Sequence, residues 1–572
     1  MLKIYLLFFM LLLCFHTKSQ SNYLQSFGST ATDEALKNTT DIWGNVYTTG
    51  FFSNTCKFDT VTLTSKGAAD IFVCKQNASG TLLWSISAGG NGSDRAYGLS
   101  SDKWGNLFIT GVFADSASFG NFTLLSKNNT QDIFIAKIDS GGNFLWAKLF
   151  GGNDIDISLS CMADTNGNVI FTGQFKDSIY FGNNGYLSAF NPITNSVSFD
   201  MFIAKCDSAG NIVWSKTGSS KYDDRGLALT IDEKNSIYLG FQFSDTLDFG
   251  TVYNNIGFNA SALCKMDENG NITWFKKFIA SSVSLYNLAY AQNSIYMAGD
   301  YSGKMILPQN PISYLQTPFI NQLFLIRMRP DGSVANAFAT GSNNQLHCYS
   351  LASDAQGTAC IGGVFECEMT ALNQEFGDAL FKSVGEYDVF YAAYDTLANR
   401  LYARHIGGHG KDNCASVTMQ NKYHPTLCGS FEHIINVPDG NNFQPHGSNS
   451  NVSSQGPGIK PNHCGEAWYG KFISCLTNGN KDIFFAQPFD STRAIYDYYF
   501  RTDTNCVHPV VSPFINGKDT IIGCDSVPVS VWLPTGQNAV IGPQYNFLWS
   551  NGKTEQSICN QYRVLVCNNK YQ

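Results

Sequence analysis

Residues 102–152 read DKWGNLFITGVFADSASFGNFTLLSKNNTQDIFIAKIDSGGNFLWAKLFGG, and this stretch decides the fold because the chain keeps repeating it. Its segments of alternating apolar and polar residues are separated by turns rich in Asp, Gly and Asn, and none has a helical period. The pattern recurs with a period of roughly sixty residues, which is typical of solenoids, propellers and arrays.

Two short marks fix the register of this repeat. The mark G-x-F begins at Gly50, Gly111, Gly173, Gly363 and Gly429, with degraded copies at Phe241 and Gly299. The mark D-x-F-x-x-K begins at Asp70, Asp132 and Asp200, and it weakens through Ala260, Gln322, Asp388 and Glu466. Each mark occurs seven times, so we predict seven units of four antiparallel strands, with two Asp-Gly hairpins in each unit.

The N-terminus supplies a strand that the last unit lacks. A tryptophan marks the fourth strand of the early units, at Trp84, Trp146, Trp214 and Trp274. Gly28 and Asp33 follow Tyr23 at the same spacing at which a Gly and an Asp follow Trp84 and Trp146. No strand of this kind follows Glu466. We therefore expect residues 23–27 to pair with the blade that contains residues 466–473. Such pairing closes a ring of blades, whereas an open solenoid would cap its ends.

The predicted fold is thus all-β: a seven-bladed β-propeller over residues 20–475, closed by its N-terminal strand. Residues 1–19 are predicted to be a signal peptide, because Lys3 precedes an apolar run at residues 4–15 and small residues precede a cut before Gln20. No later run approaches the length of a membrane-spanning helix. We expect a protein that is secreted or held at the cell surface.

The composition of the chain argues against some classes of binding partner. Charged residues make up 14% of the chain, and the net charge of −8 is spread without a basic patch, which argues against nucleic acid or an anionic membrane surface. Seventeen cysteines favour an oxidising compartment. We expect some of the late ones to form disulfides that link degenerate units. The late group is Cys348, Cys360, Cys367, Cys414, Cys428, Cys464 and Cys475. Buried free thiols are the alternative, particularly for Cys74 and Cys264, which share one column of the repeat.

The combined marks D-x-x-G-N, G-x-F, D-x-F-x-x-K-x-D-x-x-G-N and W-x-x-x-x-G-G resemble the SBBP β-propeller repeat of exported bacterial proteins. The resemblance is good over residues 33–274, moderate to Gly363 and poor beyond it. It implies a propeller outside the cell or on its surface. It brings no agreed activity and no catalytic residues.

Residues 476–572 are predicted to be a linker and an Ig-like β region. L-W-S-N-G at residues 548–552 and Y-R-V-L-V at residues 562–566 are similar to the Ig-like modules of Bacteroidetes surface proteins. The chain stops at Gln572 without the sorting domain of the type IX secretion system, so we expect either a truncated chain or another route of export.

One acidic column is the candidate site. Its members are Asp33, Asp94, Asp156, Asp224 and Asp412. They fall where the chain crosses between blades, so they could ring a channel mouth and hold Ca²⁺, which prefers several oxygen ligands. In the alternative interpretation, each Asp caps its own loop. The spacing H-I-G-G-H at His405 and His409, with His347, His424 and His463 elsewhere, is better explained by loop histidines with local partners.

We predict no catalytic residues and no other cofactor. The expected function is a non-enzymatic binding or adhesion scaffold that presents propeller loops to an extracellular glycan, polymer or protein. The alternatives are an enzyme of the polysaccharide lyase or glycosidase kind with a site in the central channel, since fold does not decide activity, and a structural part of an outer-membrane or gliding assembly.

Overall fold

The computed structural model shows an all-β chain built of antiparallel sheets. It describes residues 24–443 except 29–30, 183–184, 189–197, 245, 255–259, 309–312, 367, 372–378, 384–385, 409, 423, 432–434 and 437–441, and also residues 482–486, 500–501 and 530–531. These residues include no α-helix. They accordingly hold no helix that is long and apolar enough to cross a membrane. The predicted signal peptide and both Ig-like matches lie outside them.

Each unit has four long strands and a short hairpin between its second and third strands. The N-terminal strand is β1 (Leu24–Phe27). Unit one contains β2 (Glu34–Thr40), β3 (Val46–Phe52), β4 (Thr55–Phe58), β5 (Val61–Thr64), β6 (Asp70–Gln76) and β7 (Leu82–Gly90). Unit two contains β8 (Arg95–Ser101), β9 (Leu107–Ala114), β10 (Ser116–Phe119), β11 (Phe122–Leu125), β12 (Gln131–Ile138) and β13 (Phe144–Gly152). Unit three contains β14 (Asp156–Ala163), β15 (Val169–Lys176), β16 (Ser178–Tyr180), β17 (Tyr186–Ser188), β18 (Phe199–Cys206) and β19 (Ile212–Gly218).

The later units repeat this order. Unit four contains β20 (Arg225–Ile231), β21 (Ile237–Phe243), β22 (Thr246–Asp248), β23 (Val252–Asn254), β24 (Ala260–Met266) and β25 (Ile272–Phe278). Unit five contains β26 (Ser282–Ala291), β27 (Ser294–Ser302), β28 (Met305–Leu307), β29 (Ser313–Leu315), β30 (Asn321–Met328) and β31 (Val334–Ser342). Unit six contains β32 (Leu346–Ser353), β33 (Ala359–Phe365), β34 (Glu368–Ala371), β35 (Ala379–Lys382), β36 (Asp388–Tyr394) and β37 (Arg400–Gly408). The last described strands are β38 (Asn413–Met419), β39 (Pro425–Phe431), β40 (Ile435–Asn436), β41 (Asn442–Phe443), β42 (Asp482–Ala486), β43 (Phe500–Arg501) and β44 (Ser530–Val531).

The four long strands of a unit pair in chain order, as β8, β9, β12 and β13 do in unit two. The first strands contact one another in the order β2, β8, β14, β20, β26, β32 and β38, and β38 in turn contacts β2. Second and third strands are buried along almost their whole length, as in β3 and β6. Both faces of the sheet are covered at these strands, so even polar residues such as Thr48 and Lys75 are buried.

The N-terminal strand joins the last set of strands, but its partner differs from the expected one. β1 pairs with β42, and β42 pairs with β39. The expectation that residues 466–473 would be the partner is therefore wrong, and those residues lie outside the described ones. Asp482 begins a D-x-F sequence like the earlier ones, and a long stretch after β39 hides it from a count based on spacing. The sheet thus extends past residue 475, where we had placed the end of the propeller.

The short hairpins link neighbouring units. β10 of unit two pairs with β7 of unit one, and β16 of unit three pairs with β13 of unit two. The same contact recurs as β34 with β31 and β40 with β37. Isolated bridges at Gly28–Lys57, Ser219–Asp248 and Ile279–Ile306 mark it in the remaining units. Each hairpin therefore covers the outer edge of the preceding sheet, which would otherwise be open to pairing with another chain.

Every first strand carries a β-bulge at the same position. In unit two the register shifts between Ala96 and Gly98, and Tyr97 is the extra residue. The carbonyl oxygen of Arg95 then lies against the second strand, only 1.9 Å from where a Cβ on Gly111 would be. Any side chain there would displace the bulge, which explains the glycine of the G-x-F mark.

In units one to four, the tryptophan of the fourth strand fastens the unit to the next one. Trp146 is 9% exposed, and its indole N–H donates to the Ser208 carbonyl oxygen of unit three at 3.0 Å. Its ring lies on the same turn, 3.1 Å from where a Cβ on Gly210 would be, and Gly210 has φ +83°. Trp84, Trp214 and Trp274 make the equivalent bond to Ser140, Glu268 and Pro330. The apolar core likewise lies between neighbouring sheets, since one cluster joins Ile71 and Val73 to Ile109 and Phe134.

The described cysteines are all free thiols and all buried. They are Cys56, Cys74, Cys161, Cys206, Cys264, Cys348, Cys360, Cys414 and Cys428. The prediction of disulfides in the late group is therefore wrong for its four described members, because each thiol sits among apolar side chains within its strand. Cys367, Cys464 and Cys475 lie outside the described residues. Cys74 and Cys264 lie in units one and four, as their shared column predicts.

Replacing Trp146 by Ala should cost about 3–5 kcal/mol of unfolding free energy, because it empties a buried site between two sheets and removes a hydrogen bond. Chemical denaturation measures this cost. The neighbouring Leu145 is 46% exposed, so Leu145→Ala is the matched control and should change stability by about 0.5 kcal/mol or less. A cost below about 1 kcal/mol for Trp146→Ala would contradict the fastening role.

Candidate functional site

The predicted acidic column consists of buried loop caps. Asp33, Asp94, Asp156 and Asp224 are 0% exposed, and Asp412 is 2% exposed. Asp94 accepts the backbone N–H groups of Gly90 at 2.8 Å and Ala114 at 3.1 Å. Gly152 donates to Asp156 at 2.6 Å, and Gly408 donates to Asp412 at 2.7 Å. The structure therefore brings the five carboxylates to equivalent loops in separate units, where each binds local N–H groups.

A second buried carboxyl lies beside each of these caps in the well-preserved units. Asp70 and Asp94 meet at Gly89, where an added Cβ would lie 2.6 Å from Asp70 Cγ and 2.8 Å from Asp94 Oδ2. This close approach explains the first glycine of the W-x-x-x-x-G-G mark. The pairs Asp132 with Asp156 and Asp200 with Asp224 repeat the arrangement. Asp132 raises the pKa of Asp156, and Asp224 raises the pKa of Asp200.

These paired carboxyls hold protons to unusually high pH. Burial raises the pKa of Asp94 to about 7, and burial together with the neighbouring carboxyls raises the pKa of Asp156 and of Asp200 to about 8. Among the described residues, neither carboxyl oxygen of the buried Asp200 has a hydrogen-bond partner. Among the described residues no group of three or more His, Cys, Asp or Glu side chains is placed to hold a metal ion.

The chain should be more stable at mildly acidic than at mildly alkaline pH. A carboxyl whose pKa is raised on folding stabilises the fold fully below its unfolded pKa of about 3.9, and this contribution is lost as the pH rises through the folded pKa, about 8 for Asp200. Asp200→Asn, which mimics the protonated acid, should raise the unfolding free energy at pH 8 by at least about 1 kcal/mol.

Denaturation at pH 5 and pH 8 measures this effect. Asp207→Asn is the control, because Asp207 is a turn residue whose carboxylate accepts the N–H groups of Ala209 and Asn211; it should bring no gain at either pH. An unchanged or lower stability of Asp200→Asn at pH 8 would show that Asp200 is ionised in the fold.

The first strands expose the residues that lie one and three positions after the acidic column. We call them the first-strand face. They are Glu34, Arg95, Ile157, Arg225, Ser284, His347 and Asn413, followed by Leu36, Tyr97, Leu159, Leu227, Tyr286, Tyr349 and Ala415. They are half-exposed or exposed, whereas the residue between each pair is buried. Lys37 Nζ donates to Asn287 Oδ1 at 3.1 Å, which shows that the first strands of units one and five face each other.

One cluster on this face departs from the repeat. His347 Nδ1 and Asp300 Oδ2 are 2.9 Å apart, and the Cys348 N–H donates to Asp300 Oδ1 at 2.7 Å. The His347 ring stacks on Tyr349 with centroids 5.5 Å apart, and Tyr349 meets Tyr286 edge-on at 6.0 Å. The bond to Asp300 raises the pKa of His347. The sequence pattern had placed His347 among loop histidines, and nothing in the repeat marks Asp300.

A second exception lies at the other end of the first strands. The D-x-x-G-N turns of units one and two expose Trp43 (59%) and Trp104 (53%). The Trp43 ring lies on the next turn, 2.8 Å from where a Cβ on Gly105 would be, and the Trp104 ring lies 2.7 Å from the same point on Gly167. Two indoles therefore follow one another along neighbouring turns and remain more than half exposed, with the Lys103 ammonium 4.5 Å from the Trp104 ring centroid.

The turn itself does not require tryptophan. In unit three Asn166 occupies the same position, and its N–H donates to Asp164 Oδ1 at 2.9 Å, as the Trp43 N–H donates to Asp41 at 3.0 Å. Lys205 from the third strand completes the turn with an ion pair of 3.0 Å to Asp164. The lysine of D-x-F-x-x-K thus serves the turn, whereas the turn forms equally well without an indole.

Comparison with known proteins gives a relative of the propeller type. Over 496 residues the chain is 23% identical to an uncharacterized WD repeat-containing protein, L264, of Acanthamoeba polyphaga mimivirus, in a match that covers 71% of this chain and 35% of that protein. The chain thus spans about a third of the length of that relative. Together with the four-stranded antiparallel sheets, this similarity supports a repeat protein of β-propeller-like architecture. No protein-family model matches the chain.

Two solved structures show distant likeness. A protein of unknown function from Bacteroides caccae has a TM-score of 0.30 and 8% identity, over 66% of this chain and 93% of that one. The apocarotenoid oxygenase of Synechocystis has a TM-score of 0.28 and 10% identity, over 73% of this chain and 88% of the enzyme. Scores this low support no statement about fold detail or activity.

Proposed function

We propose that this chain is an exported, non-enzymatic binding scaffold whose turns bind an extracellular glycan. The observation that carries the proposal is the pair of solvent-exposed indoles, Trp43 and Trp104, on adjacent turns. Large exposed aromatic rings are costly to leave in water and are enriched where proteins bind partners. Because a pyranose ring has an apolar C–H face, two indoles in succession suit neighbouring sugars of one chain.

In this proposal the seven sets of strands are the blades of a closed ring, and the first-strand face lines its central channel. The pairing of β1 with β42 and the contact of β2 with β38 support closure. The SBBP-like repeat supports export, and an Ig-like region after the ring would serve as a spacer at the cell surface of a Bacteroidetes host. A rigid ring suits binding, because it fixes the turns without ordering them on contact.

The paired acids give the enzyme alternative little support. A glycosidase site needs two carboxyl groups that reach the substrate. Here the carboxyls with raised pKa, such as Asp94 and Asp156, are buried and cap loops behind the first-strand face. The binding scaffold therefore remains the preferred function.

Screening on an array of glycans and extracellular-matrix proteins tests the proposal. The chain should bind a subset of the glycans, and Trp43→Ala/Trp104→Ala should weaken that binding by about tenfold or more, because aromatic anchors supply much of a binding energy. Ile42, which is 73% exposed on the same turn as Trp43, provides the control Ile42→Ala, which should bind as the parent does. Glycan binding that survives the double substitution, or binding to matrix proteins alone, would contradict the proposal.

A further inference from the structure

The cluster around His347 is a departure from the repeat that the fold does not need. The second-strand residue paired with the start of each first strand is Phe51 in unit one, Val112 in unit two and Gln174 in unit three. In unit five the same position holds Asp300. Burying a carboxylate costs free energy unless it is paired, so an acid at this position calls for a reason outside the repeat.

Asp300 positions His347 across the boundary between two units. Asp300 belongs to β27 of unit five and His347 to β32 of unit six. One carboxyl oxygen bonds His347 Nδ1 and the other accepts the Cys348 N–H, so the imidazole has a fixed orientation. Nδ1 being engaged, Nε2 is left without a hydrogen-bond partner among the described residues. The bond to Asp300 favours the imidazolium form by raising the pKa of His347, and in that form Nε2 is a donor.

A second cation stands at the same position two units earlier. Arg225 begins β20, and its guanidinium is half-exposed, with Asp223 as a loose partner at 3.9 Å. Its charge lowers the pKa of Tyr286, which burial and Asp300 raise. Arg225 and Asp300 therefore both act on the same phenol. Burial is the main cause that raises the pKa of Tyr286 and of Tyr349. Both phenols therefore remain protonated and present hydroxyl donors and aromatic faces.

Two other charged groups at this level lie in units one and two. Glu34 accepts the Asn413 side-chain N–H at 3.0 Å. The guanidinium of Arg95 lies over the Phe51 ring, 4.6 Å from its centroid. Arg225 and His347 are the cations that lie beside the two tyrosines. His347 stacks on Tyr349, and β20, which Arg225 begins, contacts β26, which carries Tyr286.

We infer that Arg225, His347, Tyr286 and Tyr349 form a binding site for the carboxylate-bearing sugar of an acidic glycan, with Asp300 as the residue that positions His347. The guanidinium and the imidazolium N–H bind the carboxylate by charge-assisted hydrogen bonds. The tyrosines supply a ring for the apolar face of the sugar and hydroxyls for its polar groups. The inference rests on the proposed function only in taking the ligand to be a glycan.

This site is separate from the exposed indoles. Arg225 and His347 lie at the start of their first strands, whereas Trp43 and Trp104 follow the ends of β2 and β8. The two sites therefore lie at opposite ends of the first strands. Loss of one site should leave the other intact, so an experiment can contradict one proposal without contradicting the other.

Calorimetric titration of the full chain with α-1,4-linked trigalacturonate, compared with neutral galactotriose, tests the site. Trigalacturonate should bind and galactotriose should not. Arg225→Gln and His347→Gln should each weaken binding by about tenfold or more, the effect of losing one charge-assisted bond. Arg95→Gln removes an arginine from the same level in unit two and should leave the affinity within about twofold of the parent.

Two further variants protect the test from misfolding and from confusion with the turn site. Asp300→Asn/His347→Gln keeps a neutral hydrogen-bonding pair, so it should fold like the parent and still bind at least about tenfold more weakly. Trp43→Ala/Trp104→Ala should bind trigalacturonate as the parent does. Equal binding of both trisaccharides, equal losses at Arg95 and Arg225, or no binding of trigalacturonate would overturn the inference.

Discussion

A four-stranded antiparallel sheet has two broad faces to bury, and in this chain each sheet buries them against its neighbours in sequence. In units one to four, the fourth-strand tryptophan reaches onto the next unit and joins the two sheets. The indole of Trp146 lies on Gly210 and donates to Ser208, so it joins packing and hydrogen bonding at one point. The hairpin of the following unit then covers the outer strand, as β16 does for β13. A unit removed from this series would lose both partners at once.

Similar packing and pairing requirements explain most of the marks of the repeat. The glycine of G-x-F makes room for the bulge, the first glycine after the tryptophan makes room for two carboxyls, and the lysine of D-x-F-x-x-K reaches the aspartate of the first turn. Residues that these structural roles do not explain are therefore candidates for a function. Trp43, Trp104, Asp300 and His347 occupy positions that other units fill with ordinary residues, and the structure gathers them into two groups. The proposed functions rest on those exceptions.

The sequence predicted the strands and their order well because the marks of the repeat are residues that the turns, the bulges and the contacts between strands require. It predicted that the N-terminal strand would complete the last set, yet it named the wrong partner, because the long stretch before Asp482 breaks the period of about sixty residues. The acidic column lies in the loops between units, but its burial depends on the neighbouring third strand, which spacing does not reveal. The Asp300–His347 pair could not be predicted, since it joins the second strand of unit five to the bulged first strand of unit six. Cys348 and Cys414 suggested disulfides because the late cysteines crowd where the repeat is weakest, whereas both are buried free thiols.

We propose that the N-terminal strand closes a ring of sheets by pairing with β42. Ser26 and Phe484 are opposite one another in that pairing, and residues opposite in antiparallel strands have Cα atoms about 4.5–5.5 Å apart, within the range of a disulfide. Ser26→Cys/Phe484→Cys should therefore form a cross-link under mild oxidation, seen by peptide mass mapping as one linked pair, while Ser26→Cys alone forms none. A folded double variant in which both introduced thiols stay free, or in which the thiol introduced at position 26 links to a different cysteine, would contradict closure by this strand.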